Sequence, residues 1–226
     1  MTKTHGIEDY LEAIYVLQAE GNRVISSELA DYLGVARPTV AQALQRMEKA
    51  GIAARRNHHE IYLTEKGLRL AETSVRKHGL VECWLTNELG LNWADSHLEA
   101  CRIEHAISPL VEQRLSEHLG HPTTCPHGNV IPGEKVDFVI GIPLSQCCDG
   151  EHVTVLRISG YAEKDLNLMK FFYKAKLMPG TEVTVIRGAT LYEAGIEIQI
   201  ENENHVLQPA VAGNVMVESS SRVSLS

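Results

Sequence analysis

The sequence predicts a mainly α fold with a small β domain: a winged helix-turn-helix over residues 1–73, a helical segment and loop over 74–135, and a β domain over 136–226. Three observations carry this. Apolar residues recur at helical spacing through most of the first 119 residues. Glycine and proline then gather at Gly120, Pro122, Pro126, Gly128, Pro132 and Gly133, which marks a loop and a domain boundary. Beyond it, apolar residues alternate with period two around 153–158, 182–186, 195–200 and 215–218, the pattern of half-buried strands.

In chain order, Ile7, Leu11, Ile14, Tyr15 and Leu17 define an amphipathic helix over 7–19, broken by Gly21 and Asn22. Ser26, Ser27 and Glu28 open a short helix with a serine as N-cap, and Gly34 ends it after Leu33. Pro38 suits the first turn of the next helix, where its missing N–H is no loss, and that helix runs to about Ala50. Two short helices around a tight turn are the helix-turn-helix layout. Two short alternating segments, from Ile52 and from Ile61, flank a polar tip and read as a hairpin wing. Thr64 caps a long helix through roughly Leu89, and helices over 94–106 and 108–119 follow. In the β part a single helix near 165–176 interrupts the strands, which suggests a small barrel.

The 226 residues suit two or three small domains. No apolar run reaches the ~20 residues of a membrane span, and the segment from Met1 to Gly6 has no hydrophobic signal core. A cytoplasmic location is therefore expected. Five cysteines without regular spacing do not form a disulfide framework, so packing, reactive-thiol or metal-ligand roles are left. The net charge of −8 counts against nucleic-acid binding only on average. Residues 1–78 carry 11 Lys and Arg against 10 Asp and Glu; residues 79–226 carry 10 against 19.

The second helix of such a motif enters the major groove and its first turns meet base edges. Gln42 suits adenine, while Pro38 and Thr39 offer carbon to thymine methyls. Arg37 suits guanine or phosphate, and Ser27, Arg46, Lys49, Arg55 and Arg56 are candidate backbone partners. The bland alternative is a three-helix bundle with solvated cations.

Cys101, Glu104 and His105 stand at i, i+3 and i+4, with His97 one turn earlier, so a single helical face offers thiolate, carboxylate and imidazole. His78 with Glu82, Asp9 with Glu12, and Cys125 with His127 make three further ligand-type pairs. Each pair alone also reads as a solvated face or a packed cysteine; four of them, three beside a DNA-binding motif, favour a metal.

The runs EDYLEAIY from Glu8, RPTVAQAL from Arg37, RKHGLVE from Arg76, HLEACRIEH from His97 and CPHGNVIP from Cys125 resemble the diphtheria-toxin-repressor family of iron- and manganese-dependent regulators. The resemblance covers essentially the whole chain. It implies a helical dimerisation domain, a C-terminal SH3-like barrel, a homodimer, and operator DNA as partner. It also implies a primary metal site of Asp9, Cys101, Glu104 and His105, and an ancillary site of His78, Glu82 and His97 with a barrel ligand, Asp165 as the first candidate and Glu163 as the second. In some manganese-responsive relatives the loop Cys and His, here Cys125 and His127, enter the second site instead, and Glu12 has a counterpart in manganese-responsive members. Asp9 replaces the methionine of iron sensors, while Cys101 replaces the glutamate of short manganese sensors. The expected cofactor is Mn²⁺ or Fe²⁺ at two sites per subunit, with a slight lean to Mn²⁺; Co²⁺, Ni²⁺ or Zn²⁺ would substitute in vitro.

The expected function is a metal-dependent repressor of metal-homeostasis genes that acts on no small-molecule substrate and no membrane. Two alternatives stand beside it. One is a metal-independent winged-helix regulator. The other is a metalloenzyme, although H-E-x-x-H, G-x-S-x-G and Walker motifs are absent.

Overall fold

A computed structural model describes residues 5–57, 59–133, 140–188 and 195–219. The wing-tip residue His58 and the boundary at 135 and 136 lie outside them.

Helix α1 (Ile7–Ala19), α2 (Ser26–Leu33) and α3 (Arg37–Lys49) precede a hairpin of β1 (Ala53–Arg56) and β2 (Glu60–Leu63). Val40, Ala43, Leu44 and Met47 form the buried stripe of α3. They pack with Leu11, Ile14, Leu17, Leu29 and Ile61 into one core, leaving the opposite face of α3 to solvent. The expected serine cap of α2 is corrected. The N-cap is Ile25, whose N–H donates to the Glu28 carboxylate at 3.3 Å. A carboxylate in the first turn also favours the positive end of the helix dipole.

Thr64 caps α4 (Glu65–Asn87) by accepting from the Gly67 N–H at 3.1 Å, as expected. Helix α5 (Trp93–Ile103) follows, then a 3₁₀ turn over Glu104–Ala106 and α6 (Pro109–His118). The expected single helix over 94–106 therefore tightens at Glu104, so Glu104 is buried while His105 is exposed.

Among the described residues, the C-terminal part forms a six-stranded antiparallel sheet in the order β3 (Ile142–Pro143), β8 (Val215–Ser219), β4 (His152–Ile158), β5 (Glu182–Arg187), β6 (Ile196–Ile200), β7 (Glu203–Leu207). Two of these, β3 and β7, were not evident from sequence alternation. Besides α8 (Leu166–Lys174), two four-residue helices, α7 (Gly160–Glu163) and α9 (Pro209–Ala212), add to the single helix expected. Trp93 and Ala94 of α5 belong to the same apolar cluster as Phe172, Val153 and Ile198, so this domain packs directly on the helical one. Loop residues His127 and Gly128 lie against β4. The Ile158 N–H donates to the His127 carbonyl at 2.9 Å, and a Cβ at Gly128, where φ is +85°, would sit 2.2 Å from the Leu156 carbonyl. Only glycine fits that approach.

Candidate metal centre and nucleic-acid interface

Three segments converge on Glu82, which is 0% exposed. From its own helix, one turn earlier, His78 Nε2 lies 2.8 Å from Glu82 Oε1. From α5, His97 Nδ1 lies 2.9 Å from the same oxygen. From the loop, His127 Nδ1 lies 3.3 Å away. The sheet domain adds Glu163, whose carboxylate is 3.6 Å from His127 Nδ1 and 3.9 Å from His97 Nδ1. Cys125 Sγ is 3.8 Å from His127, and Cys101 Sγ is 3.7 Å from His97 Nε2. Among the described residues, three ligand-type groups result: His78, His97 and Cys101; Glu82, His97 and His127; Cys125, His127 and Glu163. A cavity of about 210 Å³ opens beside them, bordered by Glu12, Glu20, Glu82, Glu163 and Arg157.

The residues fit a divalent cation. Among the described residues, Glu82 Oε2 is buried without a hydrogen-bond partner, an atom whose desolvation a cation would compensate. Burial raises the Cys101 thiol, but hydrogen bonds with His78 and His97 outweigh it and bring the thiol down to about 6. Burial also opposes charge on His97, yet hydrogen bonds with Cys101 and Glu82 lift its imidazole to about 10. The Glu82 carboxyl is held well below the usual range, chiefly by His127 and His78 overcoming burial. Glu12 is pushed up to about 7, mainly by burial. These shifts favour an imidazolium–thiolate–carboxylate network in the metal-free cluster, whose imidazole protons a cation must displace.

The residues of the implied primary site are only partly assembled. His105 Nδ1 is 2.9 Å from Glu8, Nε2 is 3.4 Å from Glu104 and 3.9 Å from Asp9. Asp9 also accepts from the Gly6 N–H at 2.6 Å, capping α1. Glu104 turns its other oxygen to His78 Nδ1 at 2.5 Å, joining the two sets, whereas Cys101 lies with His78 and His97. Glu8 is the residue that sequence reasoning passed over; its i, i+4 spacing from Glu12 was the available signal. Asp165 is corrected: its carboxylate caps α8, accepting from the Asn167 and Leu168 N–H groups at 2.9 and 3.2 Å. Glu163, two residues earlier, is the sheet-domain carboxylate at the cluster.

On α3, Arg37, Pro38, Thr39, Gln42, Arg46 and Lys49 are exposed on one side of the helix; Ser27 at the start of α2 is half-buried. Arg55 Nε is paired with Glu48 at 2.8 Å, which makes it a weaker phosphate candidate than expected, and Arg56 lies 5.5 Å from the Tyr62 ring centre.

A thiol, carboxylate and imidazole cluster wired to a winged helix defines a metal-dependent DNA-binding regulator. Family models describe residues 3–57 as an iron-dependent repressor N-terminal DNA-binding domain, 64–133 as its metal-binding and dimerisation domain, and 142–219 as a FeoA domain. The chain is 36% identical to the iron-dependent repressor IdeR of Mycobacterium tuberculosis over 93% of its own length and 96% of the relative's. It is 31% identical to the diphtheria toxin repressor of Corynebacterium jeikeium over 93% and 95%. Among solved structures it is similar to a manganese-dependent transcriptional repressor in complex with manganese (TM-score 0.85, 29% identity, 95% of this chain and 100% of that one). The manganese regulator SloR is similar as well (TM-score 0.80, 26% identity, 96% and 100%). The chain belongs to the iron-dependent repressor family, that of the diphtheria toxin repressor.

Proposed function

We propose that this protein is a homodimeric, metal-activated repressor that binds double-stranded operator DNA in the cytoplasm. The observation that carries the reading is the convergence of ligand-type side chains from α4, α5, the loop and the sheet domain on buried Glu82, with Glu104 extending the set toward His105 and Asp9 of α1. A divalent cation supplies one positive centre that groups from separate domains can share. Glu82, His97, His127, Glu163 and Cys125 would hold one ion; Asp9, Glu104 and His105, with Glu8, Glu12 or Cys101 available, would hold the other. The thiols suit Fe²⁺ and softer ions while the carboxylates suit Mn²⁺. Burial of Glu82 and His127 favours a closed site over the open position that a metalloenzyme needs. Asp9 sits on the helix that packs against α2, so holding it to His105 restricts the pose of α3. Leu110, 63% exposed, with Leu89 and Val111, offers apolar surface for a second copy in the helical domain.

The test is gel-shift titration of an operator duplex, selected from a random pool, with and without chelator. Mn²⁺ or Fe²⁺ should tighten binding about 5- to 150-fold, and the duplex should tighten Mn²⁺ binding by the same factor. The complex should carry two protomers by light scattering. Equal DNA affinity with metal and with chelator overturns the reading in favour of a metal-independent regulator.

The cluster makes one chemical prediction by itself. In chelator-treated protein, iodoacetamide should alkylate Cys101 with a rate that halves near pH about 6, because only the thiolate reacts. Cys83, pushed up to about 12 chiefly by burial, should stay inert at neutral pH. Mn²⁺ should protect Cys101. A midpoint for Cys101 near the ordinary thiol value of about 8.5 would contradict the network.

A further inference from the structure

The ligand-type cluster does not account for the contact between the sheet domain and the DNA-binding domain. Strand β4 shifts register between Val155 and Arg157, and such an irregularity re-aims a side chain. Arg157, 2% exposed, reaches Glu20 just beyond the end of α1. Its two terminal nitrogens donate to the two Glu20 oxygens at 2.7 and 2.9 Å, the bidentate arrangement that fixes orientation as well as distance. The Gly160 N–H adds a third bond to Glu20 at 3.2 Å. On the other side, the Tyr32 hydroxyl of α2 donates to the Gly160 carbonyl at 3.4 Å, and the Tyr161 ring meets the Tyr32 ring edge-on at 5.2 Å. Gly160 lies so close to α1 that a Cβ there would stand 2.3 Å from Val16 Cγ1. One short segment therefore grips both α1 and the first helix of the helix-turn-helix. Three residues further on, the same segment presents Glu163 to the cluster.

We propose that Glu20, Arg157 and Gly160 form a positioning joint through which the sheet domain sets the pose of α1 and α2. Any hold on Glu163 is passed through this joint to the recognition helix. The first statement stands on the contacts alone; the second rests on Glu163 being a metal ligand, as in the function proposed above.

The test uses the full-length protein. Gly160→Ala drives a methyl into Val16 without touching a charge, and Val16→Ala removes the obstructing carbon. In chelator, Gly160→Ala should speed amide hydrogen exchange in α1, α2 and residues 157–163 together, and Val16→Ala/Gly160→Ala should restore protection. Arg157→Met should speed the same amides. With Mn²⁺ and the selected duplex, Gly160→Ala should raise the Mn²⁺ midpoint for DNA binding about tenfold, and the double variant should return it toward wild type. Unchanged exchange in both Gly160→Ala and Arg157→Met overturns the joint. Faster exchange with an unchanged Mn²⁺ midpoint overturns its role in transmission. Wild-type DNA binding indifferent to Mn²⁺ sinks the functional reading instead, while the exchange measurements still decide the joint.

Discussion

Glu82→Gln should cost the metal-free protein about 3–5 kcal/mol of stability, the usual penalty for leaving buried charge without its partner. Glu82 Oε1 is the shared partner of His78, His97 and His127, and glutamine keeps its shape while removing its charge. The pH dependence of this loss follows from both partners. The Glu82 carboxyl is depressed in the folded protein, so its contribution is present above the unfolded value of about 4.3 and fades as pH falls through the folded one. The His97 imidazole is raised to about 10, so its contribution is complete below the unfolded value of about 6.5 and is lost as pH rises through 10. The gap between wild type and variant should therefore be widest near pH 6 and narrower at pH 9. Urea unfolding in chelator at both values measures it. Equal stabilities at pH 6 would show that the network does not hold the three segments together. The same variant should lose one equivalent of bound Mn²⁺, because the remaining imidazoles and Glu163 lack the carboxylate that they share.

Gln42→Ala should weaken binding to the selected operator by about 1–3 kcal/mol, roughly 5- to 150-fold, and change binding to random duplex little. Gln42 is exposed on the outer face of α3, away from Val40, Ala43, Leu44 and Met47, so its removal should leave folding intact. A bidentate amide–adenine pair is lost on the cognate site only. Arg46→Ala should instead weaken both duplexes and reduce the salt dependence, as removal of a phosphate partner does. Equal losses for Gln42→Ala on the two duplexes would show that another residue reads the bases.

The helix-turn-helix, the wing and the long capped helix were legible in the residues, because their signals are local. Periodic apolar positions, Gly34, Pro38 and Thr64 act within a few residues of themselves. The ligand types of the metal cluster were legible for the same reason: His78 with Glu82 and His97 with Cys101 lie one helical turn apart.

What only the tertiary structure decided is which of those pairs meet. Spacing placed Cys101, Glu104 and His105 on one face, but the 3₁₀ turn at Glu104 separates them, burying Glu104 against His78 and leaving His105 outside with Glu8. Sequence weighed Asp165 above Glu163 as the sheet-domain ligand; helix capping claims Asp165, and a four-residue helix brings Glu163 to His127. Strands β3 and β7 lack a distinct alternation and form because the sheet offers partners across it. The joint of Glu20 with Arg157 spans 137 positions. No periodicity reaches that far; the pairing follows from a register shift in β4 and a glycine small enough to let two domains touch. Local chemistry determined the elements and the donor atoms, and long-range packing determined which donors share a centre.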